Sequence, residues 1–496
     1  MAPARLQFDL SFASAGSAAR PRDDAAPLRM LLLADLGGRR DTPLAARQPM
    51  RLDIDRFDAV LARMAPQLTL ELDGQPLPLA FTTLDDFHPD ALFDRVPAFA
   101  ALRRLRSEAG NSRQIGRVAA ALGLKPIGAV TPAAAAPAAS DATADIERLL
   151  GKAPSALPSA PPAAAAAALD GWLRDLVAPH VQVDRADEQQ AVQAAIDSTL
   201  SSLMRRVLHA PAFQALEAAW RGADRLVRGL DLGPEIELHL LDLSPAELQQ
   251  DLAEHAANLG ASALHRVFSP GAGADAQRWG LLLLDQNFGP GGDSLHRLAA
   301  LGALAGRAGA PLIAGAAPEL AGAAGLAALA EPRRWQAADG EALLTWQALR
   351  ASPMAAWLGL ALPRVLLRQP YGPGSDPISR FDFDEMGGEH RHACYLWGGS
   401  AAALALLAGL AFQQDGWNLD LGSALELDDL PSHVYSVDGD RHQQPVAELL
   451  LSEEAGQALL ERGLMPLLSY RNRPDARLLC WQSVASPPQP LRGLGR

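Results

Sequence analysis

Ser400 is the residue that most resembles a catalytic nucleophile. It follows Gly398 and Gly399 at a predicted helix start, and a strand-to-helix turn of small residues is how a hydrolase exposes a reactive serine. Alanine stands where the motif requires its last glycine, and residues 394–397 are a poor buried strand. We therefore predict that Ser400 is the N-cap of an apolar helix, with a serine hydrolase as the alternative.

A second candidate is a metal site at His390, His392 and Cys394. The three residues alternate, so in a strand they would face one way and could reach one ion. Metal sites usually draw ligands from two separated segments, and no fourth ligand is evident. The favoured interpretation is surface histidines beside a buried cysteine, with a metal enzyme as the alternative.

Two glycine-rich stretches, 271–273 and 289–292, could in principle cradle a phosphate. Neither ends in the Gly-Lys-Ser/Thr sequence that grips a nucleoside triphosphate. Asp293 follows the second stretch, where it would repel a phosphate and is predicted to cap the next helix. Flexible loops are the better interpretation of both stretches.

Residues 85–90 bring three carboxylates and a histidine close together, enough for acid–base chemistry or a hard cation. The same residues suit a turn before a helix that starts near Asp90. No residue type in the sequence is therefore assigned a catalytic role, and no cofactor or metal is predicted.

Composition narrows the class of protein. The 496 residues suggest roughly three folding units at about 150 residues each, and 49% apolar with 20% charged residues is typical of folded chains. A net charge of −13 argues against a nucleic-acid partner. Two cysteines favour a reducing compartment, no secretory signal is evident, and the longest apolar run, 401–412, is a buried helix and not a membrane span.

Ala and Pro dominate residues 131–168, which are predicted to be a semi-extended linker with a short helix at 145–150. The linker separates region 1–130 from region 169–496. Before it, apolar residues alternate with polar ones as in a half-buried strand; these are Leu6, Phe8, Leu10 and Phe12.

The fold class predicted is α+β. In region 1–130 we expect a buried strand at 30–33, a helix at 53–64 and a hairpin that turns at Asp73-Gly74, forming a small α+β domain. In region 169–496 we expect paired helices, of which the second starts at Pro211, and a capping box at Ser244. The remaining expectations are a βαβ unit over 280–313, a strand at 446–450, a Ser452-capped helix and a strand at 464–470.

Several motifs resemble the sheath proteins of bacterial type VI secretion systems. The small sheath subunit, TssB or VipA, is similar to residues 28–39 (LRMLLLADLGGR), 53–57 (DIDRF) and 84–92 (LDDFHPDAL). The large subunit, TssC or VipB, is similar to residues 209–222, 362–372, 395–398, 416–417, 429–431 and 463–467, in the family's order.

The resemblance implies two sheath-type α/β domains fused through the linker, in a structural protein without a catalytic site. Family members polymerise into a cytoplasmic contractile tube around an inner tube of Hcp, and the ClpV ATPase disassembles the spent sheath. The expected partners are therefore other sheath subunits or copies of the chain itself, with Hcp, baseplate components and ClpV as further ones. Nucleic acid and membrane insertion are not expected.

The large-subunit resemblance ends near residues 482–484, where family members continue into an inner-layer domain that exchanges strands between subunits. The N-terminal strand, Leu6 to Phe12, resembles one contributor to that exchange. Its usual acceptor is then expected to be absent, so an accessory role stays open beside the sheath itself: a baseplate adaptor, a distal-end terminator or an assembly regulator.

Overall fold

The computed structural model describes residues 26–38, 42–111, 114, 117, 186–269, 278–336 and 340–494. The predicted strand at 6–12, the linker at 131–168 and its helix at 145–150 lie outside these residues. The chain divides into two compact units: residues 1–98 with 201–496, and residues 99–200. Within the smaller unit, Arg106 Nε donates to Asp197 Oδ1 at 2.7 Å.

The larger unit is built on a mixed sheet of nine strands. These strands are β1 (Leu28–Ala34), β2 (Met50–Leu52), β5 (Ile236–Asp242), β6 (Leu281–Phe288), β7 (Leu312–Ala316), β8 (Leu358–Leu362), β11 (Glu426–Leu427), β14 (Met465–Ser469) and β15 (Ala476–Leu478). Their order is β11-β15-β14-β8-β7-β6-β1-β5-β2. Three two-stranded antiparallel sheets lie outside it in the described residues: β3 (Gln67–Leu72) with β4 (Gln75–Ala80), β9 (Val365–Leu366) with β10 (Trp397–Gly398), and β12 (Val434–Val437) with β13 (Asp440–Gln443).

Strand β1 lies in the middle of this sheet, with parallel neighbours on both sides. Leu28 to Ala34 pair with Ile236 to Asp242 of β5, and Met30 to Leu33 pair with Leu281 to Leu284 of β6. Strands buried on both faces have near-continuous apolar sequences, as β1 does. The strand predicted at 30–33 is confirmed, but nothing in the sequence indicated that it joins strands more than 200 positions away.

The helices cover both faces of the sheet and carry mostly local start signals. They are α1 (Phe57–Met64), α2 (Pro89–Arg95), α3 (Pro97–Ala109), α4 (Ala186–Leu208), α5 (Pro211–Gly229), α6 (Pro245–Glu254), α7 (Ala263–Phe268), α8 (Gly292–Ala308), α9 (Gly340–Ala351), α10 (Ser400–Asp415) and α11 (Glu453–Glu461). The capping box at Ser244 and the Ser452 cap are confirmed by their side-chain hydrogen bonds. None of the helices in the described parts of the chain is both long and apolar enough to cross a bilayer.

The hairpin and the βαβ unit are confirmed. Asp73 and Gly74 both have positive φ, 52° and 74°, as a two-residue hairpin turn between β3 and β4 requires. Strands β6 and β7 pair in parallel across α8, which ends at Gly309 with φ 69°.

Four local predictions were wrong in detail. The helix predicted from Asp53 begins only at Phe57, after a turn. Gly291, not Asp293, is the N-cap of α8, and Asp293 lies in its first turn. Gly399, not Ser400, occupies the N-cap position of α10. Residues 446–450 form no strand and have one isolated bridge, from Ala447 to Val365, because the segment packs beside β9 without a continuous ladder.

Candidate functional site

The side chain of Ser400 is not positioned to act as a nucleophile. Its side chain is buried, and its hydroxyl donates to the carbonyl oxygen of Ala361 at the end of β8 at 2.8 Å. The serine therefore joins the start of α10 to the sheet, a structural role that needs no reactive oxygen.

The predicted metal ligands do not converge. His392 and Cys394 lie in a 3-10 turn, so they cannot alternate along a strand. The His392 ring is 2.9 Å from Glu448 through Nε2, whereas the His390 ring stacks on Tyr435 at 3.7 Å between centroids. Within the described residues no group of three His, Cys, Asp or Glu side chains is arranged to hold a metal ion.

The acidic stretch at 85–90 fastens the N-terminal region to the rest of the larger unit. Asp86 accepts hydrogen bonds from the backbone N–H groups of Thr82 and Thr83, and His88 caps α2. Asp90 reaches across and accepts from the backbone N–H and hydroxyl of Ser379, at 3.0 and 2.7 Å. Burial alone would raise the pKa of Asp90, but the hydrogen bonds from Ser379 outweigh it and lower that pKa.

Aromatic side chains fill the same junction, which we define as the contact of residues 26–98 with residues 201–494. Phe81 and Phe87 stack at 4.0 Å, and both meet the edge of Phe213 on α5 at about 6 Å. Trp220, on the same helix, donates through its indole N–H to the carbonyl of Leu36 at 3.1 Å. Phe213 and Trp220 are both fully buried, and they lie two turns apart on the same face of α5.

Ion pairs complete the junction at its edge. Arg29 on β1 pairs with Glu237 on β5 at 2.8 Å, and Arg47 pairs with Glu247 at 2.5 Å. Because Glu247 also belongs to the capping box of α6, Arg47 connects the N-terminal region to a helix start.

A buried ion cluster lies beside the junction. Arg368 is the central cation: its guanidinium donates to Glu217 on α5 at 2.8 Å and to Glu385 at 2.7 and 3.0 Å. Tyr371 adds a backbone N–H to Glu385 at 2.8 Å, and Arg221 pairs with Glu217 at 2.7 Å. Both carboxylates have no exposed surface.

The pairing, and not the burial, decides the charge states in this cluster. Burial by itself would raise the pKa of Glu385, but the Arg368 guanidinium beside it lowers that pKa to about 2. Burial raises the pKa of the Tyr371 hydroxyl to about 12, so it stays protonated. Sequence reasoning missed the cluster because Glu217, Arg368 and Glu385 come from distant segments, and the sheath-like motifs that contain Glu217 and Arg368 do not show that these side chains meet.

A cleft of about 700 Å³ opens at the carboxyl edge of the parallel strands. Asp35 follows β1 here, and Asp285 to Asn287 line the cleft from β6. The N-terminal turns of α5 and the residues 392–399 form its walls. Sequence reasoning did not single out Asp285, whose only signal was an acidic residue within an otherwise apolar strand sequence.

Two family models match the chain. Residues 190–485 match VipB, described as EvpB/VC_A0108, tail sheath N-terminal domain. Residues 3–113 match the model described as type VI secretion system, VipA, VC_A0107 or Hcp2.

Two curated proteins of Pseudomonas aeruginosa are similar to the chain. The type VI secretion system sheath protein TssC1 is 27% identical over 311 residues, covering 60% of this chain and 61% of the relative. The sheath protein TssB1 is 33% identical over 95 residues, covering 17% of this chain and 55% of the relative. The chain thus spans about three fifths and just over half of the lengths of these two relatives.

Proposed function

The chain belongs to the VipB tail sheath family, and from this premise we propose that it is a non-enzymatic structural component of a type VI secretion system. In this role it contributes to a contractile sheath, or to a sheath-like assembly, around an inner tube. Its function then resides in contacts between subunits and not in a reacting group.

The observation that carries the proposal is the position of β1. The VipA-like region 3–113 supplies this strand to the centre of a sheet whose neighbouring strands come from the VipB-like region 190–485. Removing β1 would separate β5 from β6 and expose two rows of backbone groups. A single chain therefore supplies both halves of one folded unit in a fixed one-to-one ratio, which suits a protein whose work is assembly.

The partners follow from this role. We propose that the chain assembles with other sheath subunits or with copies of itself in the cytoplasm, and that Hcp, baseplate components and ClpV are its further partners. We also propose the division at 1–130, 131–168 and 169–496, with the linker raising the effective concentration of one region for the other into roughly the millimolar range.

Negative-stain electron microscopy of the purified chain tests the proposal, first alone and then mixed with sheath subunits from the same cell. Tubes from the chain alone are the expected result and show that it polymerises by itself. Particles that bind only sheath ends or baseplates indicate an accessory component. A chain that forms no assembly and binds no sheath component in either experiment contradicts the proposal.

The alternating apolar and polar residues near the N-terminus allow a more specific experiment. We propose that Leu6, Phe8, Leu10 and Phe12 are the assembly face of a strand that pairs with a neighbouring subunit. Replacing Phe8 and Leu10 by serine is expected to abolish tubes while leaving the melting temperature unchanged. The matched control replaces Gln7 and Ser11, on the opposite face, by alanine and should still form tubes. Equal assembly of the two variants would contradict this role.

A further inference from the structure

The cleft lies where the direction of the chain changes across the sheet. From β1 the chain builds β2 and β5 on one side, then crosses to β6 on the other side and continues to β7 and β8. In open parallel sheets the crevice at such a switch point, outside the carboxyl ends of the strands, is where ligands bind. Asp35 after β1 and Asp285 near the end of β6 lie at this crevice.

Asp285 is a carboxylate without a partner at the base of the cleft. Among the residues that the structure describes, no donor makes a hydrogen bond to its side chain, and burial raises its pKa while the charge of Arg364 partly opposes the shift. The side chain lies over the backbone of Gly399, where a Cβ would come within 2.0 Å of Oδ1. Glycine at 399 therefore leaves the space that the carboxylate occupies.

Arg364, the cation whose charge acts on Asp285, is paired with a different carboxylate. Arg364 donates through Nε and Nη2 to Glu448 Oε1 at 2.9 and 2.6 Å, and its backbone N–H donates to Oε2 of the same carboxylate. His392 also contacts Glu448. Glu448 is therefore neutralised, whereas Asp285 has no matching cation in direct contact.

The cleft is part of a longer groove. A second depression of about 250 Å³ shares Asn287, Arg364 and His392 with it and continues past Glu319, over the ends of β7 and β8. The groove thus follows four adjacent strands, β1, β6, β7 and β8, which at about 4.8 Å per strand gives a length near 14 Å. An extended peptide of about four or five residues has this length.

We propose that this groove binds an extended segment of a partner polypeptide that places an arginine or lysine side chain against Asp285. A groove of this length suits a peptide better than a compact small molecule, and its unpaired group is acidic. A cation brought to a desolvated carboxylate forms a charge-assisted hydrogen bond that the unbound protein lacks. This proposal rests on the proposed function, but its test measures peptide binding and not tube formation, so its failure and the failure of the proposed function are distinguishable.

Ligand-observed NMR with the full chain tests the site. The probes are pentapeptides of sequence Gly-Leu-Xaa-Leu-Gly in which Xaa is arginine, lysine, citrulline or glutamate. The arginine and lysine peptides are expected to bind, and the citrulline and glutamate peptides to bind at least tenfold more weakly. Asp285→Asn should weaken binding of the arginine peptide about tenfold or more, since the carboxylate partner of the charge pair is removed.

Two further variants guard against an indirect effect. Gly399→Ala keeps Asp285 but displaces its carboxylate, so it should weaken binding as Asp285→Asn does. Asp440→Asn removes a carboxylate from the exposed β12–β13 hairpin and should leave binding unchanged. Both variants should retain the melting temperature of the parent within a few degrees.

Three results would overturn the proposal. The first is equal binding of the arginine and citrulline peptides, and the second is binding that Asp285→Asn does not weaken. The third is that the groove prefers another occupant. This would be the case if free arginine amide bound as tightly as the arginine peptide, or if a peptide of residues 1–12 were the only peptide that bound. The latter occupant would be the chain's own N-terminal segment.

Discussion

Two carboxylates of this chain, Glu385 and Asp285, lie in desolvated surroundings and have opposite pKa shifts. Glu385 accepts hydrogen bonds from both terminal nitrogens of Arg368 and from the backbone N–H of Tyr371, and its pKa is lowered to about 2. Asp285 receives no hydrogen bond from the described residues, and its pKa rises. Burial penalises both charges, so the charge of the neighbouring arginine and the hydrogen bonds decide the direction.

The difference separates a structural site from a binding site. In the Arg368 cluster, the described residues supply each buried carboxylate with at least one arginine partner. Asp285 accepts no hydrogen bond from the described residues, and a cation of a partner could pair with it. A partly buried carboxylate in a cleft that no described residue pairs is thus a better indication of a docking surface than a buried cluster in which arginines pair with the carboxylates.

The largest expected effect comes from removing the central cation of the cluster. Arg368→Met leaves Glu385 buried without its arginine and leaves Glu217 with Arg221 alone, and should lower the free energy of unfolding by about 3–5 kcal/mol in urea titrations. Arg228→Met is the matched control, since Arg228 pairs with Asp224 on the exposed side of the same helix as Glu217. The control should cost below about 1 kcal/mol. Equal losses from the two variants would contradict the structural role of the cluster.

Apolar packing at the junction should contribute as much as the cluster. Phe213→Ala removes the ring that meets both Phe81 and Phe87, and should lower the free energy of unfolding by about 3–5 kcal/mol. Trp220→Ala should have an effect of the same size, also followed by urea denaturation. Phe213→Leu, which keeps most of the volume, is the control and should cost less than half as much. Unchanged melting of both alanine variants would disprove the packing.

A single polar contact across the junction should matter less. Asp90→Ala removes the acceptor for the backbone N–H and hydroxyl of Ser379, and is expected to cost about 1–2 kcal/mol by thermal unfolding. Asp94→Ala is a control from the same helix, because Asp94 pairs only with the exposed Arg380 side chain. A loss for Asp94→Ala that matches the loss for Asp90→Ala would assign the effect to general surface charge.

The smallest expected effect concerns the pH dependence of stability, which has opposite signs for Asp285 and Glu385. At neutral pH the charged Asp285 destabilises the fold. Asp285→Asn should therefore raise the free energy of unfolding slightly, by below about 1 kcal/mol, and raise the melting temperature accordingly. Because the folded pKa of Asp285 is raised, this gain should disappear as the pH falls through that pKa. The lowered pKa of Glu385 acts oppositely: its stabilisation is present above about pH 4.5 and is lost as the pH falls toward 2. Melting curves of the parent and Asp285→Asn between pH 7 and 3 check the sign for Asp285, and a gain for the variant that persists at pH 3 would contradict it.

The local elements were predictable because their signals lie within a few residues of each other. The capping boxes and caps at Ser244 and Ser452, the Asp73-Gly74 turn and the Gly309 helix end each depend on contacts between near neighbours in the sequence. Ser400 shows the limit of such signals. Its position at a helix start was correct, but the N-cap is one residue earlier, because its hydroxyl is used by Ala361 in a different element.

By itself the sequence determined the α+β class, most of the described helices, some of the strands and the resemblance to the sheath family, and it offered no recognisable catalytic motif. Only the tertiary structure decided that β1 lies between β5 and β6, that Arg368 joins Glu217 to Glu385, and that Asp285 accepts no hydrogen bond from the described residues. The physical reason is that parallel pairing and buried ion pairs join residues far apart in the chain. Nothing in the local spacing of residues records which distant backbone or charge will meet them.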